Sequence, residues 1–249
     1  MKFLRQITAA ALALGMAVSA HAGSISYVTG QNPWGNTTND TAMNSAFGSG
    51  QWNKFTSFNL AALTGADFVF IDGSDSNAGN FATFITANTA ALDAYVTRGG
   101  RLFLNDAPNT GPTTLNMGFG VTMHYGSSYS STATVTALGI ADGLTAGGIS
   151  KTYTGGSFSH ASLTGTLDNL ISGTSGIIFG SELYGNGLVA FGGQTTTNFH
   201  NPNANANRLL VNELLYVANG ATNNVPEPAS LALLGLGLIG VGFSRRRKQ

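Results

Sequence analysis

The stretch DFVFIDGSDSNAGNFATFITANTAALDAYVTRGGRLFLND, residues 67–106, decides how the body of the chain is read. Residues 67–72 are a run of apolar, β-preferring side chains between Gly65 and Gly73, the pattern of a buried strand. From Phe81 the positions Phe84, Ile85, Leu92, Tyr95 and Val96 follow helical spacing and stop at Arg98-Gly99-Gly100, where a cation and a glycine close a helix. Residues 101–105 (RLFLN) supply the next strand. A strand, a helix and a strand joined over this length outline a parallel crossover.

Working outward, residues 24–29 (SISYVT) and 187–192 (GLVAFG) read as further strands. Asn201-Pro202 places a capping residue before a proline, so a helix is expected next. Leu210, Val211, Leu214, Leu215, Val217 and Ala218 give it an apolar face, and Asn219-Gly220 stops it. Between 112 and 185 only short β-prone pieces stand out, at 120–125, 132–138 and 176–180, and residues 177–191 around Tyr184-Gly185-Asn186-Gly187 read as a hairpin. No fixed repeat emerges. Alternating strands and helices predict a single α/β domain over 23–220, a doubly wound sheet with helices on both faces and a β-rich insertion.

Composition narrows the chemistry. The 249-residue chain has no cysteine, which removes disulfides, thiolate zinc sites and cysteine nucleophiles. It has 34 glycines and only 9% charged residues, so hydroxyls and amides must carry its solubility. The formal charge is zero, but the body between 23 and 224 holds five basic against ten acidic residues, a net charge of −5. That balance argues against nucleic acid as a partner.

The two ends read as addresses. Lys2 and Arg5 precede an uncharged stretch and then Ala20-His21-Ala22, a signal peptide over 1–22 with cleavage expected between Ala22 and Gly23. At the other end come Val225, Pro226, Glu227 and Pro228 in a linker over 221–228. An apolar segment and a basic stop (Arg245, Arg246, Arg247, Lys248) fill 229–249. Residues 229–244 would span about 24 Å as a helix, marginal for a bilayer of roughly 30 Å. The cations would keep the last residues cytoplasmic and the body outside. Gly235, Gly237 and Gly240 match a dinucleotide fingerprint by spacing alone, since no βαβ unit follows them.

This tail resembles the PEP-CTERM sorting signal of Gram-negative bacteria, with Pro226-Glu227-Pro228 in the place of its name-giving motif. The resemblance implies an exosortase as partner, tethering at the inner membrane before processing, and delivery to the cell surface or exopolysaccharide matrix. Exopolysaccharide is a candidate partner. Within the body, LDAYVTRGGRLFLND (92–106), together with Phe191-Gly192-Gly193 and Phe199-His200, resembles glutamine-amidotransferase-like or ThuA-like domains, which implies a flavodoxin-like fold. Their catalytic cysteine has no counterpart here, so amidotransferase activity does not transfer.

Strand-end residues Asp72 and Asp106 sit where open sheets place ligands, and Asp75, Asn77, Asn105 and His200 could join them to hold Ca²⁺ or a sugar. No other cofactor is expected. Of the body histidines His124, His160 and His200, none lies in an H-E-x-x-H pattern, and G-x-S-x-G and phosphate-loop motifs are absent from the sequence. Trp34, Trp52, Tyr125, Tyr129, Tyr153 and Tyr184 lie in or near polar, glycine-rich segments, where rings can stack on glycans. These features favour an exported, non-catalytic interaction or structural module. The alternative is an extracellular hydrolase acting on carbohydrate through Asp72, Asp106 and His200.

Overall fold

The computed structural model describes residues 24–220. The signal peptide, the linker with its Pro-Glu-Pro, the apolar segment and the basic stop therefore lie outside the described residues. Eleven strands form one mixed sheet in the order β11-β7-β6-β8-β9-β10-β4-β3-β1-β2, with β5 beside β6. The strands are β1 (Ser24–Val28), β2 (Asn53–Phe55), β3 (Ala66–Asp72), β4 (Arg101–Asn105), β5 (Thr114–Gly118), β6 (Val121–Val135), β7 (Thr152–Thr164), β8 (Asp168–Gly173), β9 (Gly176–Tyr184), β10 (Gly187–Gly192) and β11 (His200–Asn201). Four helices accompany them: α1 (Thr38–Phe47), α2 (Ala78–Thr97), α3 (Ala137–Ala141) and α4 (Asn203–Asn219).

Strands β2, β1, β3, β4 and β10 pair in parallel. β3, β4 and β10 are buried along nearly their whole length, which is why they read as continuous apolar runs. Two cores result. On one face α1 and α4 cover a ring stack of Tyr27, Phe70 and Phe103, with centroids 5.0 and 4.8 Å apart. On the other, Phe81, Phe84, Ile85 and Leu92 of α2 pack on Val69, Ile71, Leu102 and Leu104. Gly73, after β3, has no room for a side chain, because a Cβ there would lie 2.2 Å from Phe81.

The remaining six strands are antiparallel and overturn the expected fold class. β6 and β7 run 15 and 13 residues, far longer than the short pieces expected from the sequence. β7 pairs with β6 and, at Leu163 and Ile177, with β9, while β8 joins β6 to β9. Strands β6, β7, β9 and β8 thus close into a ring. The flavodoxin-like doubly wound sheet with a β-rich insertion is corrected accordingly: the β-rich part is over half the sheet and continuous with the rest through β9 and β10. The likeness of the body to amidotransferase-like domains is not supported either. The physical reason is that Ser, Thr and Gly along β6 and β7 give no apolar alternation, so these strands are specified by cross-strand pairing invisible to local pattern. Two smaller corrections follow the same logic. Residues 137 and 138 belong to α3 rather than to a strand, and Pro202 precedes α4 rather than opening it. Among the described residues no helix is long and apolar enough to cross a membrane.

Candidate functional site

Parallel pairing sets Asp72 of β3, Asn105 of β4 and Gly192 of β10 side by side at the carboxyl edge of the sheet. Asn105 is the hub. Its Nδ2 donates toward Asp72 Oδ1 (3.2 Å), Ser74 Oγ (2.9 Å) and the Gln194 carbonyl (3.0 Å), and its Oδ1 accepts from the Gln194 amide (3.1 Å). Gly192 is obligatory here, since a Cβ would come within 2.5 Å of Asn105 Oδ1. Asp72 also accepts from the Ser74 amide (2.9 Å) and from Asn39 Nδ2, whose other neighbour is the Tyr27 hydroxyl at 3.1 Å. Burial pushes the Asp72 carboxyl above its usual range, against the opposing pull of these donors.

Asn39, Asp72, Ser74, Asn105 and Gln194 line a cavity with Trp34, Thr38, Thr195 and Thr196, and its volume of about 20 Å³ has room for a water molecule but not for a sugar ring. Neither Asp106 nor His200 lines it. Asp106 is fully buried, neither carboxylate oxygen has a hydrogen-bond partner among the described residues, and burial followed by the nearby Asp72 charge raises its pKa far above the ordinary value. Burial thus favours the protonated form of this carboxyl. His200 stacks on Phe158 at 4.0 Å, with Nε2 2.9 Å from Thr195 Oγ1, and burial holds its pKa down at about 4. Burial thus favours its neutral form, and it reaches the cavity lining through Thr195.

The other sequence candidates serve the frame. Asn77 Nδ2 donates to the Gln31 and Ser74 carbonyls at 2.9 and 3.1 Å, pinning the loop after β1 to the start of α2. Asp75 accepts from the Trp34 amide (2.9 Å) and from Asn109 Nδ2 (3.0 Å). His160 donates from Nδ1 to the Pro108 carbonyl at 3.0 Å, and burial lowers its pKa. His124 pairs with Thr164 Oγ1 at 2.8 Å, near the start of β6. Among the described residues no group of three His, Asp or Glu side chains is placed to hold a metal ion.

Sequence reasoning missed Glu213 and Gln194. Glu213 is fully buried on α4, accepts from Gln194 Nε2 at 3.0 Å, and its pKa is pushed up to about 8 by burial. A signal was present, since Asn212-Glu213 interrupts the apolar run from Leu209 to Leu215. Of the six flagged aromatics, Trp34 lines the cavity, and Tyr129 and Tyr125 follow it in a row of rings that passes through His160. The rest pack elsewhere: Trp52 on Tyr27, Tyr153 on Phe158 and Tyr184 on Phe119.

No curated protein matches the chain. Among solved structures it is similar to β-galactosidases from Rahnella sp. R3 and from Bacillus circulans sp. alkalophilus, at 14% and 11% identity, each with a TM-score of 0.46. They match over 76% and 80% of this chain, which spans only 30% and 31% of their length. A cytoplasmic protein from Salmonella typhimurium matches 78% of this chain over 98% of its own, at 12% identity and a TM-score of 0.43. None of their activities is carried over at these values. The tail is another matter: residues 224–248 match the family model of the PEP-CTERM protein-sorting motif, which supports an exported protein, sorted by an exosortase to the surface or the extracellular space.

Proposed function

We infer that the body of this exported protein is a non-catalytic interaction module, tethered at the inner membrane until an exosortase processes the tail, and then displayed at the surface. One observation carries the non-catalytic part. The three side chains a hydrolase would need do not face one open space: Asp72 is held by three donors, Asp106 is sealed, and His200 packs on Phe158. General acid–base catalysis needs such groups within hydrogen-bond reach of one substrate.

Intact-mass measurement and cell fractionation test the sorting part. Replacing Glu227 by Ala, or deleting Arg245 to Lys248, is expected to leave the chain unprocessed and off the surface. Surface display of both variants at wild-type mass would count against it. Incubation of the protein with polysaccharides should release no reducing ends.

A further inference from the structure

Beyond the carboxyl ends of β1 and β3, five rings stand in a row, with the buried His160 at its centre and Phe199 and His160 edge-on to Trp34 at 80° and 89°, so that Phe199, Trp34, Tyr129 and Tyr125 supply its accessible surface. Successive centroids lie 5.5 Å apart from Phe199 to Trp34, 5.5 Å from Trp34 to His160, 4.4 Å from His160 to Tyr129 and 5.9 Å from Tyr129 to Tyr125. Tyr129 and Phe199 are 42% and 38% exposed, which is unusual for side chains this large when a core is within reach. The row is braced by a chain of hydrogen bonds. Tyr129 and Tyr125 hydroxyls lie 3.2 Å apart, Tyr125 donates to the Asn109 carbonyl at 2.7 Å, Asn109 Nδ2 donates to Asp75 at 3.0 Å, and Asp75 accepts from the Trp34 amide at 2.9 Å. Trp34 takes a left-handed φ of 50° under this restraint. Rings fixed before a ligand arrives lose little freedom when it binds.

The polar surroundings select the ligand. The frame contains the Asp75 carboxylate and no Lys or Arg, and the body is acidic, so phosphate or uronate chains are disfavoured. Amides flank the rings: Asn36 Nδ2 donates to the Trp34 carbonyl at 3.0 Å, and Asn198 reaches Asn36 Oδ1. Apolar faces bordered by uncharged donors and acceptors suit a sugar ring, whose C–H face is apolar and whose rim carries hydroxyls.

We propose that this aromatic file is a stacking platform for a neutral, linear polysaccharide. The proposal rests on the body being an interaction module and names its partner class. The test uses the full chain in detergent, run on native gels cast with dextran, galactomannan or alginate. A neutral polysaccharide is expected to retard the protein and alginate is not. Tyr129→Ala and Phe199→Ala should each weaken retention by about tenfold while melting at the wild-type temperature. Tyr129→Phe should keep it, because stacking uses the ring face. The platform is overturned if neither neutral polymer retards the protein, if alginate alone does, or if the double alanine variant is retained as well as the wild type. Release of reducing ends from the same polymers would instead sink the non-catalytic reading and leave the platform standing.

Discussion

Two groups of side chains lie next to each other at the carboxyl edge of the sheet, built on opposite terms. Around Asp72, polar atoms are buried, paired and facing inward. In the file from Phe199 to Tyr125, every ring but the buried His160 is at least partly exposed, and the tyrosine hydroxyls are hydrogen-bonded to each other and to the Asn109 carbonyl. The contrast teaches that ionisable groups near a strand end can be structural, while the surface a partner meets is carbon. Alanine substitutions should therefore cost stability at the first place and binding at the second.

The largest expected effect is Asp72→Ala, which strands donors from Asn39, Ser74 and Asn105 and should destabilise the fold by roughly 3 to 5 kcal/mol in urea unfolding. A value under about 1 kcal/mol would erase the contrast. Next comes Glu213→Gln. Folding raises this carboxyl from 4.5 to about 8, so the folded state holds a proton that the unfolded chain releases. Stability is then greatest below pH 4.5 and falls as pH rises to about 8. The glutamine keeps the Gln194 contact and cannot ionise. It should flatten that decline and gain on the order of 3 kcal/mol at pH 8 to 9, read from urea unfolding at several pH values. An unchanged slope would mean that Glu213 is not neutral in the fold. The smallest effect is expected for Tyr129→Ala, within about 1 kcal/mol of wild type by thermal melting, since its side chain is already 42% exposed.

Residues 67–106 announced their strand, helix and strand because burial on both faces writes an uninterrupted apolar run. Asp72, Asn105 and Asp106 could be placed at strand ends for the same reason. Their roles could not. Asp72 is locked by Asn39 from α1, a helix whose sequence TNDTAMNSAF has no apolar stripe, and Asn105 is fixed by Gln194, 89 residues away. His200 looked available because nothing local shows that Phe158, from β7, covers its ring. The aromatics fared the same way: residue type flagged six, and only the pairing of β6 with β7 brings Tyr129 onto His160. Phe199 and His160 entered the file through tertiary contacts alone.

The parallel strands also give the molecule an up and a down. Ser24, where β1 opens, pairs with Ala66 at the start of β3, and Gly220, after α4, sits against the Arg101 guanidinium at the start of β4. Both ends of the described residues therefore lie at the amino edge of the parallel strands. The file of rings beyond the carboxyl ends thus stands at the opposite end of the parallel strands from Ser24 and Gly220.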